Sequence, residues 1–144
     1  MHIVYLSLGT NLGDKERNLL RAIEEIGKRI GLIKAQSAFL ETEPWGFESK
    51  NTFLNCAVKV ETKFSPLEVL HSTQIIESLL GRTHKSRNRV YHDRIIDIDL
   101  LLYYDGNEEE NNDGVHISLP ELTLPHPLMH ERDFVMIPLS EIKR

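Results

Sequence analysis

Two helical patterns and four strand-like runs alternate along this sequence in an order that few folds can accommodate. The first helix is predicted over residues 14–30, where apolar side chains such as Leu19 and Ile26 recur at helical spacing. The second is predicted from residues 65–68, which combine a capping box with proline at the first helical position, and it ends at Gly81. The strand-like runs lie at 3–8, 32–42, 53–62 and 96–104. The order β-α-β-β-α-β predicts a ferredoxin-like α+β fold, with a mostly antiparallel sheet and helices packed on one face.

The ends of these elements and the remainder of the chain carry further expectations. Gly31 stands where the C-terminal cap of the first helix belongs. Residues 115–119 are expected to return as an edge strand, and the proline-punctuated run 122–139 is expected to lead into a short terminal segment. We interpret these residues as a C-terminal extension of a single domain that takes in residues 1–144.

The composition excludes several classes of function. A net charge of −5 argues against non-specific nucleic-acid binding as the main role. No apolar run approaches the roughly 18 residues of a membrane span, and no secretory signal is visible. Cys56 is the only cysteine, so an intramolecular disulfide is impossible, and we expect it to be an inert core residue. These features predict a cytoplasmic protein with no nucleic-acid or membrane partner. We also expect a monomer, although none of these features determines the oligomeric state.

A basic segment over residues 82–94 contrasts with this acidic background, and it leads directly into a strand with two aspartates. Phosphate chemistry uses such a combination, because carboxylates hold divalent metal and guanidinium groups stabilise the remaining phosphate charge. Most charge runs are solvated surface loops, which is the alternative here. Since Asp93 is the only acid among the bases, we favour a functional lid. The basic residues are Arg82, Lys85, Arg87, Arg89 and Arg94.

The aspartates, Asp97 and Asp99, are two residues apart in a predicted strand. Side chains at i and i+2 point to the same face of a strand, with their Cα atoms roughly 6.5–7 Å apart. Both carboxylates can therefore bind one Mg²⁺ ion or bridge two ions about 3.5–4 Å apart. Taken alone, the pattern is a weak signal and fits the solvated outer face of an edge strand better than a metal site. Beside Arg94 and the basic segment, it favours metal binding.

Other polar or aromatic residues are candidates for contact with a ligand. Trp45 lies in a polar turn, where it either caps the edge of the core or lines a site for a flat ligand. Asn55 lies in an apolar strand, and a buried amide there must bond either a neighbouring loop or the edge of a heterocycle. His126 stands between two prolines and Arg132 follows it, but both are also explained as surface residues. The other histidines lack the spacing of zinc ligands.

Several short motifs combine these clusters in one chain. They are residues 7–13 (Ser-Leu-Gly-Thr-Asn-Leu-Gly), 42–46 (Thr-Glu-Pro-Trp-Gly), 53–55 (Phe-Leu-Asn), Gln74 with Glu77, Gly81 with Arg82, residues 94–100 (Arg-Ile-Ile-Asp-Ile-Asp-Leu), and residues 124–127 (Leu-Pro-His-Pro) followed by Arg132 and Phe134. Together they resemble the 6-hydroxymethyl-7,8-dihydropterin pyrophosphokinase family of folate biosynthesis. The resemblance covers essentially the whole chain, and its most specific parts are Arg-x-x-Asp-x-Asp and Leu-Pro-His-Pro.

The resemblance implies a reaction and a role for each matching residue. Pyrophosphate would pass from ATP, the co-substrate, to the hydroxymethyl group of the pterin, and AMP would be released. Asp97 and Asp99 would hold two Mg²⁺ ions, while Arg82 and Arg94 would be the catalytic residues that act on the transferring phosphates. The remaining contacts with ATP would come from Gln74, Glu77, His126 and Arg132. The contacts with the pterin would come from Thr42, Glu43, Trp45, Phe53, Asn55 and Phe134.

The sequence departs from the family pattern at three places. Arg82-x-His84 replaces a frequent Arg-x-Arg, so another base of the segment is expected to substitute for the second arginine. His92 and Asp93 replace Gly-Pro before Arg94. Phe53 replaces a tyrosine, which preserves ring stacking and removes a hydroxyl group. None of these changes touches the expected metal ligands.

Two rival functions use some of the same residues. Another Mg²⁺-dependent nucleotidyl or phosphoryl transferase would need the aspartate pair but would have no use for Trp45, Asn55 and Phe134. A measurement of pterin binding separates that enzyme from a pyrophosphokinase. A ferredoxin-like module that binds RNA or an acidic partner would need aromatic residues exposed across its sheet, and it would bind without Mg²⁺. The aspartate pair argues against that second rival.

Overall fold

The computed structural model describes residues 1–43, 52–81, 95–106 and 113–143, and it contains a five-stranded antiparallel sheet. In chain order, the elements are β1 (His2–Thr10), α1 (Lys15–Arg29), β2 (Gly31–Gln36), β3 (Leu40–Thr42), β4 (Phe53–Thr62), α2 (Pro66–Leu79), β5 (Asp97–Tyr104), β6 (Ile117–Ser118), β7 (Thr123–Leu124), a 3₁₀ turn (Met129–Glu131) and α3 (Asp133–Ile142). The strand order is β2-β4-β1-β5, and β3 also pairs with β4. This arrangement confirms the predicted α+β fold.

At the start of α1 and of α2, a side chain accepts a hydrogen bond from a backbone N–H group that has no partner within the helix. Asp14 caps α1 by accepting a hydrogen bond from the Arg17 N–H at 3.1 Å. Ser65 and Glu68 form the predicted capping box of α2, because each side chain accepts a hydrogen bond from the backbone N–H of the other residue. Gly81, just beyond α2, has a φ of 104°, a left-handed conformation that favours glycine.

Different helices cover the two faces of the sheet. α1 and α2 pack on the face that carries Leu6, Leu8 and Val58. On the opposite face, Val135 and Leu139 of α3 pack with Tyr5 and other apolar residues of β1 and β5. The prediction of helices on one face therefore holds for α1 and α2 only. The expected short terminal segment is instead a ten-residue helix, α3, which tolerates an internal proline because it buries this apolar stripe.

Three local expectations are corrected. The run 32–42 forms two strands, β2 and β3, because the Ser37 hydroxyl accepts the Ala57 N–H where regular pairing would continue. Gly31 is not a left-handed cap; it starts β2, where a Cβ atom would collide with the backbone carbonyl of Glu61. Residues 115–119 do not add an edge strand to the main sheet, since β6 pairs with β7 in a separate two-stranded sheet.

A bulge in β5 determines which side chains face α3. The pairing of β1 with β5 shifts between Tyr5 and Leu6, which leaves Leu101 as the extra residue on β5. Before the bulge, Asp97 and Asp99 lie on the α3 side and alternate with apolar side chains that face α1 and α2. The predicted shared face of the two carboxylates is thus confirmed. Within the described ranges, no helix has the length and apolar content needed to cross a membrane.

Candidate active site

A pocket opens on the α3 side of the sheet, where β4, β1 and β5 lie next to one another. The pocket is open to solvent, and about 460 Å³ of space, solvent included, lies between its walls. The lining residues are Ser7, Gly9, Thr42, Glu43, Phe53, Asn55, Asp97, Asp99, Arg132 and Phe134. All of them except Ser7 and Gly9 are candidates from the sequence analysis. The fold therefore brings five of the six expected pterin contacts, all but Trp45, and both expected metal ligands into one pocket.

The floor of the pocket is a row of residues across three strands. Gly9 of β1 pairs with Asn55 of β4 on one side and with Asp97 of β5 on the other. Neighbouring strands are ~4.8 Å apart, so the backbones at Asn55 and Asp97 are ~10 Å apart. A Cβ atom on Gly9 would lie 3.1 Å from Asn55 Oδ1 and 3.7 Å from Phe53 Cδ1. Glycine therefore leaves the floor open between the amide and the carboxylate.

The Asn55 side chain is buried and held in one orientation. Its Nδ2 donates to the Leu40 carbonyl at 3.1 Å and to Thr42 Oγ1 at 2.8 Å. The Leu40 carbonyl can only accept a hydrogen bond, so the nitrogen of the amide must face it. Asn55 Oδ1 consequently lies over Gly9, inside the pocket lining. Asn55 therefore bonds its neighbours, and it also presents an acceptor to a ligand.

Asp97 and Asp99 form the opposite end of the pocket, and both are half-buried. Among the described residues, no three histidine, cysteine, aspartate or glutamate side chains are grouped as a metal site. A pair of carboxylates is nevertheless suited to Mg²⁺ at a nucleotide, which takes one or two carboxylates and completes its shell with phosphate oxygens and water. The donor set therefore fits a hard divalent cation that arrives with a phosphate ligand.

Arg132 and Phe134 enter the pocket from the start of α3. Arg132 is only 3% exposed, and its guanidinium carbon lies 5.7 Å from the centre of the Phe134 ring. Burial lowers the pKa of Arg132 to about 10, so the guanidinium remains charged at neutral pH. A fixed positive charge therefore shares the pocket with the two carboxylates, and an aromatic ring lies beside it.

Three candidates are not part of the pocket lining, and two of them, Glu77 and His126, bond to β5. Gln74 and Glu77 are on α2, where buried Glu77 accepts the Ile98 N–H at 2.9 Å and so holds the strand between the two aspartates. His126 donates its backbone N–H to the Leu101 carbonyl, and its Nδ1 accepts the Leu128 N–H at 3.2 Å. Burial lowers the pKa of His126, and the charge of Asp97 opposes that shift. The proton of the neutral ring is thus on Nε2.

Other candidates cannot be placed in the same way. Trp45, Arg82 and Arg94, with the rest of the basic segment, lie outside the described residues.

Ser7 and Gly9 are in the lining but were not candidates from the sequence analysis. Their signal was the presence of two small residues, two positions apart, in an otherwise apolar strand. Such a pair leaves space on one face of a sheet.

The fold and the pocket together define a class of protein. Paired carboxylates and a buried guanidinium in one pocket suit phosphoryl-type transfer from a nucleotide. Two phenylalanines and a fixed amide acceptor in the same lining suit a flat heterocycle. The class is therefore a group-transfer enzyme with a nucleotide and a flat ring compound as its substrates.

Comparisons with known proteins identify the family within that class. Residues 5–144 match the family 7,8-dihydro-6-hydroxymethylpterin-pyrophosphokinase. The 2-amino-4-hydroxy-6-hydroxymethyldihydropteridine pyrophosphokinase of Porphyromonas gingivalis is 50% identical over 144 residues, which cover 99% of this chain and 91% of that protein. The enzyme of the same name from Bacillus subtilis is 39% identical over 98% of this chain and 78% of its own length. The chain belongs to this pyrophosphokinase family.

Solved structures show the same fold. A Plasmodium falciparum HPPK-DHPS structure with SDX-DHP superposes with a TM-score of 0.71 at 16% identity, over 99% of this chain. The present chain spans 41% of that longer protein. Family membership confirms the predicted enzyme, an ATP-dependent pyrophosphokinase of folate biosynthesis with ATP and a hydroxymethylpterin as substrates.

Proposed function

We propose that the pocket on the α3 side of the sheet is where pyrophosphate passes from ATP to the hydroxymethyl oxygen of the pterin, with AMP as the leaving group. Residues 1–144 would act in this reaction as one domain. The observation that carries the proposal is the row Asn55–Gly9–Asp97, which places an amide acceptor and a carboxylate on one open face. A bicyclic ring over Gly9 would have its polar edge at Asn55 and its hydroxymethyl group near the aspartates.

The pterin is assigned to the Asn55 end of the pocket. Asn55 Oδ1 accepts an N–H from the edge of the heterocycle, because both hydrogens of Nδ2 are committed to Leu40 and Thr42. Phe53 and Phe134 provide the apolar ring faces between which a flat ring can stack. Thr42 and Glu43 line the same pocket, and the resemblance to the family assigns Trp45 to the pterin as well.

The triphosphate is assigned to the aspartate end. Asp97 and Asp99 would hold two Mg²⁺ ions, which neutralise phosphate charge and align the reacting groups when bound. Arg132 adds a buried positive charge to the pocket that contains both carboxylates. His126 can donate from Nε2, because its Nδ1 is an acceptor for Leu128.

The roles of the remaining candidates rest on the sequence. Gln74 and Glu77 are assigned to the nucleotide, and Arg82 and Arg94 to the phosphates in the transition state. The attacking hydroxyl needs no strong base, since transfers of this kind depend mainly on alignment and charge neutralisation. A closing basic segment would exclude water that otherwise hydrolyses ATP.

We further propose that the protein acts as a cytoplasmic monomer. Cys56 is fully buried, and burial raises its pKa to about 12, so its thiolate is not available for a disulfide with another chain. The net charge of −5 supports the absence of a nucleic-acid partner.

The identity of the released nucleotide tests the proposed reaction. Purified protein with Mg²⁺-ATP and the hydroxymethyl pterin should release AMP and form the pterin diphosphate in equal amounts. Release of ADP, or release of AMP that does not depend on the pterin, would contradict pyrophosphate transfer. Variants of the pocket then connect this activity to the assigned residues.

Asn55→Ala is expected to raise the dissociation constant of the pterin about 10- to 100-fold and to leave that of ATP almost unchanged. The reason is the loss of a buried acceptor and of the bonds that order Thr42, an effect of about 1–3 kcal/mol. Pterin fluorescence and calorimetry measure both affinities. Gln36→Ala, at an exposed position of the same sheet, is the control. A loss confined to ATP binding would show that the two ends of the pocket are assigned the wrong way round.

A further inference from the structure

The first turn of α1 contacts the two strand ends that lead into the aromatic end of the pocket. Lys15 Nζ donates to the Thr52 carbonyl at 3.2 Å and to Thr52 Oγ1 at 3.1 Å. The same ammonium group lies 4.0 Å from Glu41 Oε2. Because Thr52 immediately precedes Phe53 and Glu41 immediately precedes Thr42, one side chain joins the neighbours of two lining residues.

These bonds lie where the pairing of the two strands stops. Thr42, the last residue of β3, pairs with Phe53, the first residue of β4, and this is the end of their pairing within the described part of the chain. Backbone pairing with β3 therefore holds Phe53 in place, and the hydrogen bonds from Lys15 hold Thr52, the residue before it. The lysine side chain is 28% exposed, so these bonds are partly shielded from water.

A second residue of the same helical turn restrains the chain that follows Gly9. Asn18 Nδ2 donates to Thr10 Oγ1 at 3.1 Å and to the Leu12 carbonyl at 2.8 Å. Residues three apart lie on the same side of a helix, so Lys15 and Asn18 both reach toward the sheet. The first turn of α1 thus fixes the chain after Gly9 and the chain before Phe53.

We propose that Lys15 is a positioning residue for the pterin, an inference that rests on the proposed function of the pocket. Lys15 is not part of the lining, and it acts through Thr52 on the direction in which Phe53 enters the pocket. An ammonium group suits this position because it has three donors and no acceptor, which match the two Thr52 oxygens and the Glu41 carboxylate. Its contribution is specific to the pterin end, since Asp97 and Asp99 are on a different strand.

Lys15→Met tests this role because it keeps a long apolar stem and removes all three donors. The expected result is a rise of about tenfold in the KM and dissociation constant of the pterin. The dissociation constant of ATP and the kcat at saturating pterin should change less than twofold. Lys15→Arg should restore most of the pterin affinity, because a guanidinium can donate to both oxygens of Thr52.

Lys28→Met is the matched control on the same helix. Lys28 pairs with Glu24 at 3.0 Å and with Glu25 at 3.6 Å on the exposed side of α1, so its removal should leave both substrate affinities unchanged. If Lys15→Met lowers the melting temperature but leaves pterin affinity at the wild-type value, Lys15 is merely structural and the proposal is overturned. Equal losses for pterin and ATP would overturn it as well.

The test separates failure of this inference from failure of the assigned pocket. Normal pterin binding by Lys15→Met, together with weak binding by Asn55→Ala, would remove only the role of Lys15. Normal binding by both variants would place the pterin elsewhere and would overturn both claims. Weak pterin binding by both, with the predicted recovery in Lys15→Arg, supports the positioning role.

Discussion

Asp97→Asn and Asp99→Asn are each expected to reduce the turnover of Mg²⁺-ATP and pterin about a thousandfold. Asparagine preserves the shape of the side chain and removes its charge, so the variant should fold normally. Both carboxylates lie half-buried on one face of β5, and bound metal there would contribute several kcal/mol to transition-state stabilisation by neutralising phosphate charge. Each 1.36 kcal/mol corresponds to a factor of ten in rate. Steady-state kinetics over a range of Mg²⁺ concentrations measures the effect.

Asp105→Asn, just after the end of β5, is the control for this prediction. Asp105 follows the far end of β5 and is exposed, with a contact to His2 at 2.8 Å. Asp105→Asn should therefore keep wild-type turnover. Near-normal turnover in either Asp97→Asn or Asp99→Asn would remove the metal assignment, whatever the behaviour of Asp105→Asn.

Arg82→Ala and Arg94→Ala are expected to lower kcat about 100-fold or more and to change the ATP and pterin affinities only modestly. The prediction rests on the sequence, in which the two arginines stand at opposite ends of the basic segment. Donors that act on charge developing in the transition state contribute on this scale to kcat. Lysine at either position should rescue only partly, because a point charge cannot reproduce a bidentate fork on phosphate.

Single-turnover kinetics and equilibrium binding distinguish this role from a binding clamp. Arg87→Ala and Arg89→Ala serve for comparison, and each should have a smaller effect than the two terminal arginines. If Arg82→Ala and Arg94→Ala weaken ATP binding as much as they slow the chemical step, the basic segment binds the ground state and the catalytic role is wrong.

The sequence predicts features that depend on local rules. The capping box of Ser65 and Glu68 and the shared face of Asp97 and Asp99 follow from patterns over two to four residues, and the structure confirms both. Gly31 was misassigned because glycine is found both at helix ends and where two strands approach closely, and only the tertiary contact with Glu61 distinguishes these cases.

Other features depend on contacts between distant segments. The helix α3 contains Pro138, which argues against a helix locally, and only its packing on Tyr5 and its neighbours shows why the helix forms. The row Asn55–Gly9–Asp97 depends on the register of three strands, which no single segment encodes. The orientation of Asn55 likewise requires the position of Leu40, fifteen residues earlier in the chain.

The pocket also bears on the two rival functions. A transferase with a different second substrate would not need Asn55, Phe53 and Phe134 in the same pocket as the aspartates, yet all of them line it. An RNA-binding sheet requires an open face with exposed aromatic residues. Here α1 and α2 cover one face, and α3 packs on the other beyond the pocket. Both observations favour the pyrophosphokinase that the family assignment gives.

The central claim is that one pocket has a pterin end at Asn55 and a phosphate end at Asp99. The most direct test is a crossed titration of the wild-type protein, Asn55→Ala and Asp99→Asn with the pterin and with a Mg²⁺-bound, non-hydrolysable ATP analogue. Asn55→Ala should lose affinity for the pterin alone, and Asp99→Asn should lose affinity for the Mg²⁺-bound nucleotide alone. Loss of the same ligand in both variants, or unchanged affinities in either variant, would contradict it.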